Sequence, residues 1–520
     1  MRLCIRYRLA APLVLASVGA APLAAQTPAL SAYEQLQTFS GVLNHVRVNY
    51  VDSVEFGGLV RSAIRGMLRS LDPHSYYVSR QDFELRAAYD RGLLAGVGLS
   101  LEDADGASTV LAVEPDGPAA RGGVLAGDRI RALGDSVVAG VGSRDLEVRL
   151  LGDKGTKVRV TFDRGARLEP DTFSVTLKRQ IIEHHVVSPP RMVDATTGYV
   201  RLAQFTPLAP TELADAIGKL TGSGAKQLIL DLRNNPGGEV SAMVAIASLF
   251  LDARTPVFRT QGRKRTGLDV VNTTSAGPYA RLPLVLLVNE GSASASEMLA
   301  GSLQDHDRAL VIGRMTFGKA LMQSALALPN GDVVWLTIAR VVTPSGRVIQ
   351  RRYSGLAYEQ YEALAGKGGA AVDTAAVFHT DHGRTVRGGG GIRPDVERPV
   401  ADFPAWFSVA ADSGWLTAIA DSVAATLAAD KASLAVWSAA PERWDAQLLT
   451  PLVARARSRL AIQGEPAPDV RRRVSRYLAS RAIATRWGSP AAEEFLLHSD
   501  EDVRLAIAQF PKLASLLVAR

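Results

Sequence analysis

An α/β fold, carrying an inserted strand-rich domain and helical regions at both ends, is predicted for this chain by three observations. Residues 181–400 alternate apolar, strand-like runs with segments of helical spacing. Residues 91–180 switch to short strands separated by glycine-rich turns, and residues 31–90 and 401–520 repeat apolar side chains at helical spacing. The length of 520 residues suggests about three domains, and an apolar content of 47% is enough to build separate cores for them.

In chain order, the first segment combines Arg2, Arg6 and Arg8 with an apolar run from Leu9 to Leu23 and the small pair Ala24-Ala25. A basic start, a short apolar run and an alanine-rich exit read as a cleavable secretory signal over 1–25, cut near Ala25. The run is short for a stable membrane span, and an uncleaved anchor is the alternative. Cys4, the only cysteine, precedes the apolar run, so it cannot accept a lipid there, and cleavage leaves a chain without thiols. Disulfides, thiol catalysis and cysteine metal sites are thereby excluded. The compartment expected is the bacterial periplasm or cell envelope. The formal charge of +7 falls to +4 once Arg2, Arg6 and Arg8 are set aside, too little to argue for a nucleic-acid partner.

Within 31–90, Phe39, Leu43, Val46 and Tyr50, and then Ile64, Met67, Leu68 and Leu71, predict helices that form a small core. In 181–400, Gly198 to Leu202 reads as a strand, and Leu213, Ile217 and Leu220 share one helical face. Val333 to Ile338 is a further strand, and the Gly-, Ala- and charge-rich stretch 352–388 reads as a surface excursion. In 401–520, Val470, Val474, Tyr477 and Leu478 share a helical face, with Arg471, Arg472, Arg473 and Arg476 elsewhere on what reads as a solvated face, contact with acidic partners being the alternative.

The chemistry concentrates in two places. The apolar run Pro283 to Val288 stops in Gly291-Ser292-Ala293-Ser294-Ala295-Ser296 and turns directly into a helical pattern. Such a turn exposes a hydroxyl and a row of free backbone N–H groups, which suits an acyl-transfer nucleophile. Lys319, in Thr316-Phe317-Gly318-Lys319, follows Ser294 by 25 positions. A lysine can take the proton of a serine only when its amine is neutral, so burial must lower its pKa from near 10.4 by roughly 2–3 units. The neighbours Thr316, Phe317, Gly318, Leu321 and Met322 offer that desolvation, and the uncharged Gln323 can hold the amine without stabilising its cation. The backbone N–H of Ala295 is the natural first oxyanion donor. A second is expected from Asn235-Pro236-Gly237-Gly238, between the strand Gln227 to Leu232 and a helix carrying Val240, Val244, Ala247 and Leu251. Gly237 and Gly238 remain equal candidates there. A Ser-His-Asp triad drawing on His306 after Asp305, or on His184-His185, is disfavoured because adjacent helical residues point to different faces. His379, Asp381 and His382 lack a further ligand set and read as a solvated loop.

These residues resemble the carboxyl-terminal processing peptidases, or tail-specific proteases. Leu71-Asp72-Pro73-His74-Ser75-Tyr76-Tyr77, Asp231 to Gly238, Thr343 to Gln350 and Gly389 to Asp395 all stand in that family's order. The resemblance covers most of the chain to about residue 400, departing at Ala320, where the family usually has glycine. It implies a crotonase-like ββα protease core over 181–400 with a Ser/Lys dyad of Ser294 and Lys319, support from Gln323, and Asp305 as a structural aid. It implies a peptidase that needs no metal and no cofactor. Gly96-Val97-Gly98-Leu99-Ser100-Leu101, Gly117-Pro118-Ala119-Ala120 and Ala126-Gly127-Asp128-Arg129-Ile130 resemble a PDZ domain. That resemblance implies that Gly96, Val97, Gly98 and Leu99 receive a peptide's terminal carboxylate while the peptide adds as a strand. Expected partners are protein or peptide substrates bound through their C-termini, with a homo-oligomer or an adaptor protein also allowed by the family. The alternative is a non-catalytic PDZ scaffold on an inactive protease fold.

Overall fold

The computed structural model describes residues 31–84, 95–104, 107–114, 117–125, 127–138, 141–164, 170–182, 185–263, 269–356, 360–361, 364, 376–400, 403–439 and 444–518. The expected signal segment lies outside the described residues. The chain divides into two units, Met1–Met67 and Leu68–Arg520. In the first, helix α1 (Ala32–Asn49) begins at Ser31, whose backbone N–H donates to the Glu34 carboxylate while its hydroxyl caps the helix in return. Helix α2 (Phe56–Arg69) follows. The small core expected here is not formed: no residue of α1 is buried, and Phe39 and Tyr50 are 48% and 58% exposed. Helical spacing defines a face that favours cover, and the described residues of this unit do not supply it. Nor does the segment stay helical to residue 90, because β1 (Tyr76–Val78) pairs antiparallel with the strand Val333–Val342.

The strand-rich domain contains β2 (Leu99–Ala104), β3 (Ala107–Val113), α3 (Pro118–Arg121), β4 (Arg129–Leu133), β5 (Ser136–Val137), α4 (Ser143–Leu150), β6 (Lys157–Arg164) and β7 (Asp171–Lys178). Its antiparallel sheet has the order β2-β3-β4-β6-β7, with β5 on β4, and closes over the fully buried Leu146, Val160 and Phe162. β2 therefore lies at an edge, where a further strand can add.

The central layer is a six-stranded sheet built from β8 (Arg191–Met192), β9 (Thr197–Arg201), β10 (Gln227–Asp231), β13 (Leu284–Val288), β14 (Leu310–Gly313) and β19 (Val396–Glu397). Its order is β19-β14-β13-β10-β9-β8, parallel except for β8. Helices α5 (Ala209–Gly222), α6 (Val240–Phe250) and α7 (Ala295–Asp305) make the crossovers and bury one face. All five residues of β13 are buried, so this strand is an uninterrupted apolar run rather than an alternating one. A second sheet joins β11 (Pro256–Gly262), β12 (Asp269–Asn272), β15 (Leu321–Ala327) and β16 (Val333–Val342) to β1, and β17 (Val377–His379) and β18 (Thr385–Arg387) form a hairpin.

The C-terminal region is helical, as its periodicity predicts: α8 (Ala405–Asp412), α9 (Trp415–Thr426), α10 (Lys431–Ala439), α11 (Thr450–Leu460), α12 (Pro468–Trp487), α13 (Ser489–His498) and α14 (Glu501–Val518). These helices enclose a core of their own around Trp444, Leu448, Leu452, Val474, Leu478 and Ile483. The last helix has a second task. Val503, Phe510 and Leu513 of α14 pack on Ile229, Val285, Leu287, Leu310 and Ile312, covering the sheet face opposite α5–α7. Among the described residues no helix is long and apolar enough to cross a membrane.

Phe510→Ala should therefore destabilise the sheet domain as a deep core truncation does, by about 3–5 kcal/mol, although it lies far along the chain from the strands. Denaturant unfolding followed by far-UV circular dichroism measures this, and an unchanged midpoint would mean that α14 is not part of that core.

Candidate active site

The nucleophile candidate sits where β13 gives way to α7. Ser294 heads that helix with φ 56° and ψ −113°, a conformation unfavourable for a residue with a side chain and maintained only by its surroundings. The three serines of the Ser-Ala-Ser-Ala-Ser run differ sharply. Ser292 and Ser296 are fully buried, and their hydroxyls donate to the carbonyls of Leu232 at 2.8 Å and Asn235 at 2.9 Å. Ser294 is only partly buried, and its hydroxyl donates to no acceptor among the described residues. It is the serine left available for chemistry.

A fully buried carboxylate, Glu297, joins this turn to the lysine loop. Its Oε2 accepts the backbone N–H of Ser294 at 2.9 Å and that of Lys319 at 2.8 Å. Its Oε1 accepts the Gly318 N–H at 2.6 Å and the Thr316 hydroxyl at 2.5 Å. Glu297 was not singled out from the sequence, though a glutamate three residues after a helix-heading serine matches a capping box. Distant motifs complete the loop. Gly318, at φ 90°, passes so close to Arg351 that a Cβ would lie 2.8 Å from the Arg351 Cβ. The Ile392 N–H donates to Thr316 Oγ1 at 2.7 Å, and the Ala320 N–H donates to Gln350 Oε1 at 2.7 Å. Ala320 has no left-handed φ, so alanine fits where glycine is usual.

Burial lowers the pKa of the Lys319 amine, opposed by the charges of Glu297 and Asp72. Burial also pushes Glu297 up to about 7 against its four hydrogen bonds. The Asp72 carboxylate receives the N–H groups of His74 and Ser75 and the Ser75 hydroxyl, folding Leu71 to Ser75 into a tight turn. His74 lies close enough to feel Lys319: burial first, then that charge, bring its pKa to about 4 and keep it neutral. Its Nε2 is 3.1 Å from the Tyr361 hydroxyl.

The glycine loop after β10 presses against Ser294. Asn235, fully buried, donates to the Leu202 carbonyl and accepts the Gly237 N–H on its side chain, while its backbone carbonyl accepts the Ala293 N–H. Gly237, at φ 99°, leaves no room for a side chain: a Cβ would lie 2.8 Å from the Ala293 oxygen and 2.9 Å from both the Ala295 nitrogen and the Ser294 Cβ. The two glycines thus separate. The N–H of Gly237 is already used, whereas those of Gly238 and Ala295 have no acceptor among the described residues.

Several expected contacts are absent. Gln323 Nε2 is buried without a partner, and no hydrogen bond joins Gln323 to the Lys319 amine. The β15–β16 register shifts between Met322 and Gln323, and such a bulge re-aims the side chains that follow. Asp305 is buried and ion-paired with Arg347, and it accepts the Ser345 N–H at 2.9 Å, so it anchors the Thr343–Gln350 turn. Both ring nitrogens of His306 are engaged, by Asp381 at 2.7 Å and the Pro256 carbonyl at 2.6 Å, and no triad with Ser294 forms. His185 pairs with Glu212, and His184 lies outside the described residues. His379 stands exposed on β17, while His382 lies 3.7 Å from the Asp307 carboxylate.

In the strand-rich domain, Gly96 is not available to a carboxylate, because its N–H donates to the Gln180 carbonyl at 2.9 Å. Gly96 is fixed by a bridge to Gln180, while Leu99 opens the β2–β3 ladder opposite Val113. The N–H groups of Val97 and Gly98 have no acceptor among the described residues. The Leu101 N–H on the edge strand is held by Glu147 of α4 at 2.8 Å.

Gly237→Ala should cost about 1–3 kcal/mol of stability, since it combines a left-handed φ with contacts to backbone that cannot move freely. A thermal midpoint equal to wild type would mean that the turn bearing Ser294 yields without strain.

Known proteins match both parts of this architecture. Residues 196–359 match the model of peptidase family S41, and residues 95–177 match that of the PDZ domain. The carboxy-terminal-processing protease of Bartonella bacilliformis is 33% identical over 324 residues, 62% of this chain and 74% of that protein. The carboxyl-terminal-processing protease of Synechocystis sp. is 35% identical over 56% of this chain and 68% of its own length. The solved photosystem II D1 C-terminal processing protease aligns with 72% of this chain and 95% of its own at 27% identity, with a TM-score of 0.40. With its PDZ domain followed by the S41 core, this chain belongs to the carboxyl-terminal-processing serine proteases of peptidase family S41.

Proposed function

We propose that the chain is a secreted serine endopeptidase that cleaves proteins near their C-termini through a Ser294/Lys319 dyad. The observation that carries this reading is the shared Glu297 carboxylate, whose Oε2 accepts the backbone N–H groups of both residues. Ser294 Oγ attacks the scissile carbonyl carbon as the neutral Lys319 amine takes its proton. The N–H groups of Ala295 and Gly238 stabilise the oxyanion, Gly237 being committed to Asn235. Collapse of the tetrahedral intermediate breaks the peptide bond, and Lys319 returns the proton to the leaving amine. Water then attacks the acyl-enzyme by the same proton transfers in reverse order. Secretion into the periplasm or envelope rests on the basic, apolar and alanine-rich character of residues 1–25.

Ser294→Ala should fold and lose peptide cleavage along with labelling by a fluorophosphonate. Lys319→Arg should be as inactive as Lys319→Ala, because a guanidinium does not release its proton in a protein. In wild type, kcat/KM should rise with pH. Below about 7 the Glu297 carboxyl takes up a proton and loses acceptor capacity, and a protonated Lys319 cannot accept the serine proton. Turnover by Lys319→Arg would remove Lys319 as base, and a profile that stays flat through that pH would remove Glu297 protonation as a control on the reaction.

The PDZ edge supports capture of a substrate tail, with the terminal carboxylate on the Val97 and Gly98 N–H groups and the peptide strand along β2, displacing Glu147 from Leu101. A peptide with a free C-terminus should be cut with kcat/KM about tenfold or more above that of its amide, the factor that corresponds to about 1.4 kcal/mol. Steady-state kinetics on the matched pair decide it: equal values would sink tail recognition and leave the dyad untouched.

A further inference from the structure

A cavity of about 880 Å³ lies where the exposed end of the parallel sheet meets the C-terminal helices, and nine arginines against six carboxylates line it. Strand register builds one wall. Arg191 of β8 stands opposite Tyr199 of β9, and Arg201, two residues further along β9, projects to the same side as Tyr199 and pairs in register with Asp231. Helix α12 and the first turn of α14 supply the other wall.

The carboxylates at the centre are already used. Asp231 holds Arg233 at 2.5 Å, Asp500 pairs with Arg233 and Arg476, Asp502 with Arg233 and Arg398, and Glu501 with Arg398 and Arg472. Arg191, Arg201 and Arg504 line the same cavity without an ion pair among the described residues. Arg476 adds a buried Nε with no hydrogen-bond partner. Arg473, stacked on Phe403 at 4.0 Å, has its pKa held down by burial and then by the charges of Arg314 and Arg398. Like charges gathered around a partly desolvated hollow repel one another, and a multivalent anion relieves that repulsion. The guanidinium fork matches the paired oxygens of carboxylate and phosphate.

We propose that this seam binds a small polyanion, a molecule bearing two or more carboxylate or phosphate groups, through Arg191, Arg201 and Arg504. Its volume falls within the roughly 300–1,000 Å³ of small-ligand sites. Asn234 and Asn289 also line it, and they are the pair that ties the glycine loop to the turn before Ser294, with hydrogen bonds of 2.8 Å in both directions. An occupant therefore contacts the rear of the active site, although its binding does not depend on the peptidase reading.

The test is calorimetric titration of the full chain with pyrophosphate and, separately, with citrate at constant ionic strength. We expect saturable binding of at least one probe with a Kd of about 1 mM or tighter, weakened about tenfold or more in the double variant Arg201→Gln/Arg504→Gln. Among the described residues neither side chain has an ion pair to lose, only a hydrogen bond to a backbone carbonyl, so the melting midpoint of the variant should stay close to wild type; should it not fold, Arg191→Gln provides the same comparison. Tighter binding of pyrophosphate assigns the site to phosphates, and tighter binding of citrate assigns it to carboxylates. No saturable binding of either probe, or equal affinity in wild type and variant, overturns the proposal.

Discussion

The Glu297 carboxylate is the constraint on which the active site depends. Four donors converge on its two oxygens from the Ser294 turn and the lysine loop, segments separated in sequence by the whole of α7 and β14. A fully buried carboxylate without such partners would cost several kcal/mol, so its own burial forces the two segments together. The same arrangement fixes Ser294 in its left-handed conformation and holds Lys319 where burial can keep the amine neutral. Because Glu297 is pushed up to about 7, the connection between the Ser294 and Lys319 segments is itself sensitive to protonation.

Around this link the motifs act as supports rather than as reagents. Gln350 holds the Ala320 N–H, Ile392 holds Thr316, and Asn235 holds both the glycine loop and the turn before Ser294. Asp305 and Arg347 form a buried pair that fixes the Thr343–Gln350 turn, which in turn places Gln350. The stretches that carry the family resemblance are therefore largely those whose backbones must approach one another closely, which accounts for the glycines at 237, 318 and 391.

The C-terminal helices convert a sheet covered on one face into one covered on both. α14 packs on β10, β13 and β14, the strands that lead into the glycine loop, the Ser294 turn and the Lys319 loop, so the stability of the region after residue 400 supports the candidate site directly. The ion pairs from Asp500, Glu501 and Asp502 to Arg233 and Arg398 tie the start of that helix to the sheet and wall off the arginine-lined hollow beside them.

Local sequence was enough to place most of the elements and to propose the reagents. The apolar run of β13 read as a strand, the Gly-Ser turn after it suggested a nucleophile position, and the small and apolar neighbours of Lys319 suggested a desolvated amine. Tertiary structure alone decided what depends on contacts between distant segments. Which serine is free follows from Ser292 and Ser296 meeting the carbonyls of Leu232 and Asn235, and which glycine keeps its N–H follows from the Asn235 side chain. A bulge left Gln323 without its expected bond, and the Gln180 carbonyl took the N–H of Gly96. Among the described residues nothing buries a residue of α1 although its spacing is helical, while α14 found its cover on strands far upstream of it in the chain. Periodicity specifies that a face favours burial, but the partner that buries it is set by the folded chain.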